Sequence, residues 1–203
     1  MITLYGTSGS RANRCLWVLE ELGLEYEHAP IGFGSDCRSP DYLRINPNGH
    51  IPSLDDHGTI LWESVAINLY LADKYGADPF WPSNREMRGK CYQWSLWGVN
   101  EIEPRVQALM DHRIYNPPER RDPEADNRAL GELKGSFRIL DDHLRQSEYL
   151  VGDAFTVADA NVASIARALV LTLKIDLSES PAAREWLSRC LGREGYQRVL
   201  RMK

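Results

Sequence analysis

A turn crowded with hydroxyl groups lies between the first apolar stretch of the chain and the first helical pattern. It covers residues 5–11, which read Tyr-Gly-Thr-Ser-Gly-Ser-Arg, and Ser10 falls at the predicted N-cap of the helix. A helix N-terminus carries unpaired N–H groups and the positive end of the helix dipole, so it favours an anion such as a thiolate. A serine at the N-cap also has a structural explanation, because its oxygen can accept a hydrogen bond from the first turn. The spacing leaves both explanations open.

Two further segments contain residues that could hold a peptide-like ligand. Pro52 precedes a predicted strand, where a trans proline at a strand edge is the ordinary interpretation and a cis peptide bond is the rarer one. With a proline there, the N–H and C=O of Ile51 can pair with an extended peptide as a neighbouring strand would. Ser64 follows Glu63 at a predicted helix start. It either caps that helix or belongs to a group of amides that binds a carboxylate.

The elements that must position these residues alternate between strand and helix. Apolar periodicity and glycine turns predict, in order, a strand at residues 2–5, a helix at residues 11–22 ended by Gly23, a strand at residues 25–29, a hairpin at residues 53–62, and a helix from Ser64 through Tyr75. A short or irregular helix falls between the second strand and the hairpin. This order predicts a four-stranded mixed sheet with helices on its faces.

A proline-containing stretch at residues 77–84 is the predicted linker. Residues 1–76 then form an α/β domain, and residues 85–203 form an all-helical domain, because strand patterns are absent from the sequence beyond the linker. Pro104 is expected to kink or interrupt the first helix of that domain, since it lacks a backbone donor. The predicted helices cover residues 85–112, 122–146, 156–172 and 181–191.

Composition excludes several classes of function. The chain has 203 residues, of which 43% are hydrophobic and 26% charged, and its formal net charge is -5. This balance is typical of a globular protein and does not favour nucleic acid or an anionic membrane as a partner. No apolar stretch approaches the ~20 residues that span a bilayer, and the N-terminal one is too short for a signal peptide. We therefore expect a cytoplasmic protein.

Cysteine and histidine spacing argues against metal sites and disulfides. The four cysteines are far apart and form no Cys-x-x-Cys pair, and no two of the five histidines are four residues apart. We expect no structural metal. Of the histidines, only His50 lies in a suggestive segment.

Together these segments resemble the cytosolic glutathione transferase family, in particular its bacterial, serine-type, theta- and delta-like members. The matching stretches are Tyr-x-x-x-x-Ser-Arg-x-x-Arg at residues 5–14, Leu-Glu-Glu-Leu-Gly-Leu at 19–24, Asn-Pro-Asn-Gly-His-Ile-Pro-Ser-Leu at 46–54, and Leu-Trp-Glu-Ser-Val-Ala-Ile at 61–67. The family's fold is a thioredoxin-like domain followed by an all-helical domain. The resemblance implies that residues 1–76 bind glutathione and that residues 85–203 form the electrophile site.

Residues 149–160 resemble the family's buried capping motif. Thr156 can cap the following helix while Asp159, three residues later, accepts from the backbone N–H of the cap. The resemblance covers nearly the whole chain and is weakest at residues 105–123 and after residue 172.

In serine-type members a serine at the start of the first helix hydrogen-bonds the glutathione sulfur, and Ser10 occupies the matching position. Such a hydrogen bond lowers the thiol pKa and makes the thiolate available as a nucleophile. Tyr5 ranks second, because tyrosine-type members carry their catalytic phenol close to this place. Thr7 or Ser8 ranks third.

The resemblance also implies which residues bind the rest of glutathione. The backbone of Ile51, with Pro52 in the cis form, would pair with the cysteinyl part, and His50 would contact the glycyl carboxylate. Glu63 would hold the γ-glutamyl amine and Ser64 its carboxylate, because a carboxylate suits an ammonium and a hydroxyl with N–H groups suits an anion.

Arg11 would border either the thiol or the second substrate. The electrophile would meet the first helix of the helical domain, where Trp97, Asn100 and Met110 are candidates. Ordinary helix packing explains the tryptophan equally well.

The partners implied by the resemblance are glutathione as co-substrate, a small hydrophobic electrophile and a second copy of the chain in a homodimer, with no tightly bound cofactor. Three alternatives stay open. One is another glutathione chemistry on this fold, namely a peroxidase, dehalogenase or isomerase activity. Another is a disulfide reductase that uses Cys37, and the last is a non-enzymatic glutathione-binding module.

Overall fold

Residues 1–202 are described by a computed structural model. The chain separates into two units: the first contains residues 1–81 and the C-terminal segment from Arg193, and the second contains residues 82–192. The division lies close to the predicted linker at residues 77–84. Each unit is built around its own buried apolar side chains.

The sheet of the first unit has the four mixed strands that the sequence predicts. Its strands are β1 (Ile2–Tyr5), β2 (Tyr26–Ala29), β3 (Ser53–Asp56) and β4 (Thr59–Trp62). They lie in the order β2-β1-β3-β4, with β1 parallel to β2 and the other neighbours antiparallel. The mixed sheet predicted from the alternating pattern is confirmed, and so is the thioredoxin-like fold that the resemblance implies.

Three helices accompany the sheet: α1 (Ala12–Glu21), the single turn α2 (Pro40–Leu43) and α3 (Ser64–Tyr75). The apolar stripe that predicts α1 is fully buried, with Cys15, Leu16 and Leu19 each 0% exposed. Helix α1 ends two residues before Gly23, whose φ of +62° suits a glycine at a helix terminus.

A buried carboxylate fixes α3 to the sheet. Asp56, at the end of β3, accepts hydrogen bonds from Tyr70 Oη at 2.8 Å, Lys74 Nζ at 2.7 Å and Tyr75 Oη at 2.8 Å. Burial alone raises the pKa of this carboxyl, but the hydrogen bonds from Lys74, Tyr70 and Tyr75 outweigh it and hold the pKa below the ordinary value. The contact sets the position of α3 on the sheet, and with it the position of the first residue of α3, Ser64.

The second unit is all-helical, as expected. Its helices are α4 (Arg85–Trp97), α5 (Glu103–Met110), α6 (Pro123–Leu144), α7 (Val157–Leu171) and α8 (Pro181–Leu191). The interruption predicted near Pro104 is a π-helical turn, Gly98–Ile102, which joins α4 to α5. Pro104 is the second residue of α5 and has no backbone N–H, and the carbonyl four residues before it, that of Asn100, accepts from Arg105 Nη1 at 2.7 Å.

The predicted capping box lies at the start of α7 and is more extensive than a local cap. Asp159 is 0% exposed, and its Oδ2 accepts from the backbone N–H and the hydroxyl of Thr156, each at 2.9 Å. Its Oδ1 accepts from Leu150 N and from Trp186 Nε1, also at 2.9 Å. Complete burial raises the pKa of Asp159, and the four hydrogen bonds act in the opposite direction. One carboxylate therefore joins α7, α8 and the segment before α7.

The C-terminal segment departs from the predicted domain division. Helix α9 (Glu194–Arg201) belongs to the first unit, whereas the sequence analysis assigns residues 85–203 to one helical domain. Its Tyr196 ring packs on Trp17 of α1 with centroids 4.8 Å apart. Arg193 donates to both carboxylate oxygens of Glu21, at 3.0 and 2.8 Å. Aromatic packing and paired charges thus attach α9 to α1.

All four cysteines are free thiols with buried side chains. Within the described residues, no helix combines the length and the apolar character that crossing a bilayer requires.

Candidate functional site

The register of the sheet brings the three sequence segments to one edge. Tyr5 at the end of β1 pairs with Ser53 at the start of β3, and Ser53 pairs with Trp62 at the end of β4. The hydroxyl-rich turn follows Tyr5, Pro52 precedes Ser53, and Glu63 follows Trp62. These segments are distant in sequence, but each is directly bonded to a residue of the same row, and they therefore lie at the same edge of the sheet.

Gly6 allows the turn after β1 to lie close against its neighbours. A β-carbon at this position would lie 2.7 Å from the β-carbon of Ala12, closer than side chains tolerate, and 3.7 Å from the α-carbon of Pro52. A residue with a side chain would push the start of α1 away from the cis-proline segment. Glycine at this position therefore keeps two parts of the candidate site together.

Ser10 is 8% exposed and its hydroxyl makes two local hydrogen bonds. The Oγ accepts from Ala12 N at 3.0 Å and donates to Thr7 O at 2.7 Å. Helix α1 begins at Ala12 with Arg11 at its N-cap, one residue later than predicted. Ser10 nevertheless performs the capping role that the structural explanation assigns to it. Rotation of the hydroxyl away from Thr7 would give the same group a proton to donate to a ligand.

Tyr5 packs as a strand residue. Its ring meets Tyr42 edge-on with centroids 6.3 Å apart, and both belong to a small apolar cluster with Cys37 and Ile51. Burial, followed by the negative charges of Asp55 and Glu27, raises the pKa of the Tyr5 phenol. The phenol therefore stays protonated at neutral pH.

The Ile51-Pro52 peptide bond is cis, as the resemblance implies. The carbonyl before it, that of His50, accepts from Tyr42 Oη and from Asn46 Nδ2, both at 2.7 Å. Among the described residues, the backbone N–H and C=O of Ile51 make no hydrogen bond. The protein therefore satisfies the His50 carbonyl, whereas the N–H and the C=O of Ile51 can pair with a ligand. The His50 side chain is exposed.

Glu63 has a left-handed backbone, with φ of +71° and ψ of +108°. Such a conformation costs a non-glycine residue about 1–3 kcal/mol and is concentrated at ligand sites. It turns the chain sharply from β4 into α3 and leaves the Glu63 side chain exposed. Ser64 is the first residue of α3 and not its N-cap, which corrects the structural explanation given for it above.

One residue of the site escapes the sequence analysis. Arg14 of α1 is 5% exposed, and its Nη1 donates to Ser64 Oγ at 3.0 Å. The two helix starts are joined further by Asn68 Nδ2, which donates to Arg14 O at 3.3 Å, and by Cys15 Sγ, which donates to Ser64 O at 3.5 Å. The signal in the sequence that could have identified Arg14 is its position in the otherwise apolar stripe of α1, because an arginine without a special role usually lies on the solvent-exposed face of a helix.

The predicted electrophile residues all lie in the second unit. Trp97 ends α4 and packs edge-on against Trp94 with centroids 5.1 Å apart, which fits the packing explanation. Asn100 is exposed within the π-helical turn, and its carbonyl accepts from Arg105 Nη1 at 2.7 Å. Met110 ends α5 and is half-buried. Their role toward an electrophile remains a prediction.

Acidic, cysteine and histidine side chains do not cluster at this edge. Over residues 1–202, no group of three or more such side chains has the arrangement of a metal site. The donors near Ser10 and Ser64 are hydroxyl, amide and guanidinium groups, which suit an organic anion.

Comparison with known proteins agrees with this arrangement. The family model for the glutathione S-transferase N-terminal domain matches residues 1–73, and the model for the C-terminal domain matches residues 106–194. Glutathione S-transferase GstB of Escherichia coli K12 is 31% identical over 205 aligned positions, which cover 98% of each chain. A disulfide-bond oxidoreductase of the same organism, YfcG, is 30% identical and covers 98% of this chain and 94% of its own.

Among solved structures, the theta class glutathione S-transferase of Xanthomonas axonopodis pv. citri, determined with glutathione bound, superposes with a TM-score of 0.90. It is 30% identical, and the match covers 100% of this chain and 98% of that one. Both family models, the full-length relatives and the two-unit fold agree. The chain belongs to the glutathione S-transferase family.

Proposed function

We propose that the chain binds glutathione at the edge of its first unit and activates the thiol for attack on a small hydrophobic electrophile. The observation that carries the proposal is the common row of Tyr5, Ser53 and Trp62, which brings the Ser10 turn, the cis-proline segment and Glu63-Ser64 to one edge. A related structure contains glutathione. The chemistry of the three segments fits the three parts of that tripeptide.

Ser10 is the residue that we propose for thiol activation. Its hydroxyl lies at the start of α1, where the unpaired N–H groups of the first turn favour a negative charge. A free thiol has a pKa of ~8.5, so a reduction of about two units makes the thiolate dominant at neutral pH. Each pKa unit corresponds to about 1.36 kcal/mol, so one charge-assisted hydrogen bond and the helix terminus are together sufficient for this reduction.

The γ-glutamyl end would lie at the start of α3. Ser64 contributes a hydroxyl and the first-turn N–H groups that suit a carboxylate, and the exposed Glu63 carboxylate suits the adjacent ammonium. The backbone of Ile51 would pair with the cysteinyl part, as an extended strand does. His50 and Arg11, both exposed, remain candidates for the glycyl carboxylate and for the region of the thiol.

This assignment predicts that Ser64→Ala and Glu63→Ala each raise the KM for glutathione with little change in turnover. The reason is that both side chains contact the ligand far from the sulfur, so their removal weakens ground-state and transition-state binding equally. We expect a change of ~10-fold for each variant, the size of a lost hydrogen bond to a charged group. Steady-state kinetics with varied glutathione measures both parameters.

Glu25→Ala is the matched control, because Glu25 is an exposed acid on the same unit outside the site. Its KM should equal that of the wild type. If both site variants retain wild-type affinity for glutathione, Glu63 and Ser64 do not belong to the site.

In this proposal the helical unit selects the electrophile, through Trp97, Asn100 and Met110. One relative is named a disulfide-bond oxidoreductase, which favours glutathione-dependent disulfide reduction as the second candidate function. Cys37 is a poor thiol for such a reaction, since it is 6% exposed and its Sγ donates to Gly34 O at 3.5 Å. Assays with a chlorinated aromatic compound and with a small disulfide, each with glutathione, distinguish the two functions.

We also propose that the chain is a symmetric homodimer, and we expect its mass in solution to be twice 23.1 kDa. Helix α4 of the second unit exposes three apolar side chains, since Met87, Tyr92 and Leu96 are 36%, 44% and 54% exposed. A self-complementary patch of this kind is what an isologous contact requires. An obligate interface buries ~2,000 Å² or more and resists dilution.

Sedimentation at low micromolar concentration measures the mass. Leu96→Glu should weaken the dimer, because it puts a charge into the apolar patch, whereas Glu25→Ala should leave the mass unchanged. A wild-type chain that sediments at 23.1 kDa would refute the dimer.

A further inference from the structure

The contact between Arg14 and Ser64 joins the two helix starts of the candidate site. Arg14 Nη1 lies 3.0 Å from Ser64 Oγ, and both side chains are buried, at 5% and 5% exposure. The residues are 50 positions apart in sequence and belong to different helices. We propose that Arg14 is a positioning residue for glutathione binding that acts through Ser64 on the γ-glutamyl carboxylate; this inference rests on the proposed function.

The direction of the hydrogen bond between Arg14 and Ser64 determines where the Ser64 hydroxyl proton can point. A guanidinium has donors and no acceptor, so Ser64 Oγ must accept in this contact. The proton of the Ser64 hydroxyl is then directed away from Arg14 and is available to another acceptor. Because the oxygen already accepts from a cation, its own O–H is a stronger donor. Arg14 therefore prepares Ser64 to donate to an anion.

The surroundings of Ser64 also favour a bound anion. Ser64 is the first residue of α3, whose first-turn N–H groups lack intrahelical partners, so the positive end of the helix dipole lies at the same place. Asn68 and Cys15 join the backbones of the two helix starts, at 3.3 and 3.5 Å. A buried guanidinium and a helix N-terminus both favour a negative charge nearby. A carboxylate on Ser64 meets both, and the α-carboxylate of a γ-glutamyl group is such an anion.

The test is a double-mutant cycle. Arg14→Gln should raise the KM for glutathione by ~10-fold while turnover changes by less than ~3-fold, because the lost contact is made equally in the ground and transition states. In a Ser64→Ala background the same substitution should change KM by less than ~2-fold, since its route of action is already removed. Arg14→Lys should recover part of the affinity, because it keeps the charge without the planar fork.

A second substrate separates a positioning role from general loosening of the site. Cysteinylglycine lacks the γ-glutamyl group, so the wild type and Arg14→Gln should use it with equal KM. If Arg14→Gln does not fold, as thermal unfolding would reveal, the same comparison is made with Arg14→Lys.

Three results would overturn the inference: an undiminished effect in the Ser64→Ala background, an equal loss with cysteinylglycine, or a fall in turnover at constant KM. Failure of the proposed function has a different signature, since the wild type would then show no saturable dependence on glutathione.

Discussion

Replacement of Ser10 by alanine should lower the turnover number with glutathione by about one to two orders of magnitude, while the affinity for glutathione stays within several-fold of the wild type. The hydroxyl would interact with the sulfur and chiefly stabilise its charged form, so its loss raises the thiol pKa without removing the contacts to the rest of the tripeptide. Steady-state turnover and calorimetric titration with glutathione measure the two quantities separately.

The geometry of Ser10 explains why turnover should respond more than affinity. Its Oγ accepts from Ala12 N and donates to Thr7 O, so both interactions of the free protein are local and weak in net energy. The proton needs only a rotation of the hydroxyl to reach a ligand. Loss of the cap should cost about 1 kcal/mol of stability, which leaves the fold intact.

Ser35→Ala is the matched control, because Ser35 is an exposed serine of the same unit. Its turnover should be that of the wild type. If Ser10→Ala keeps full turnover and Tyr5→Phe abolishes it, the phenol is the activating group. The raised pKa of Tyr5 and its packing on Tyr42 oppose that outcome.

Asp159→Ala should have the largest effect on stability, lowering the free energy of unfolding by ~3 kcal/mol or more. The substitution leaves the backbone N–H groups of Leu150 and Thr156 and the indole N–H of Trp186 buried without acceptors. Each such donor costs about 1–3 kcal/mol, and a whole domain is stable by only about 5–15 kcal/mol. We therefore expect partial or complete unfolding of the second unit at ordinary temperature.

Thermal and denaturant unfolding, followed by circular dichroism, measures this loss. Asp153→Ala is the matched control, since Asp153 lies six positions before Asp159 and its side chain is exposed. It should change stability by less than about 0.5 kcal/mol. Asp159→Asn should also destabilise, because one oxygen becomes an NH₂ group that faces existing donors. Equal stability of Asp153→Ala and Asp159→Ala would contradict the account of this cluster.

Local patterns were sufficient to predict the elements of the first unit between residues 2 and 75. The apolar stripe with Cys15, Leu16 and Leu19 specifies the buried face of α1, and Gly23 marks its end. The short apolar segments and the turn at Gly58 likewise predict the strands and the hairpin. Element limits differ by one or two residues, because helix ends depend on individual hydrogen bonds rather than on periodicity.

Contacts between distant segments account for what the sequence did not reveal. Helix α9 is not among the predicted helices, the last of which ends at residue 191, and its place on the first unit depends on ion pairs of Arg193 with Glu21 and of Arg198 with Glu20. Nothing in a local pattern links side chains some 170 positions apart. Similarly, the π-helical turn Gly98–Ile102 has no periodicity of its own, although Pro104 indicated that the helix would be irregular nearby.

The residues of the candidate site also differ in whether a local sequence pattern reveals them. Ser10, Pro52 and Ser64 were found from their own segments, because each belongs to a turn or a helix start with a recognisable composition. Arg14 appears in the sequence only as the last residue of the matching stretch 5–14, since its importance depends on a side chain 50 residues away. The left-handed conformation of Glu63 is set by the turn from β4 into α3, which no propensity of glutamate predicts.

We propose that glutathione binds at the first unit with its thiol ionised beside Ser10. The most direct measurement is the ultraviolet difference spectrum of glutathione mixed with the protein near neutral pH, where the thiolate absorbs and the thiol does not. We predict that the wild type produces the thiolate band in proportion to the bound ligand and that Ser10→Ala binds glutathione without producing the band. A wild-type protein that binds glutathione but produces no thiolate band at neutral pH, or a Ser10→Ala protein with an undiminished band, would contradict this account.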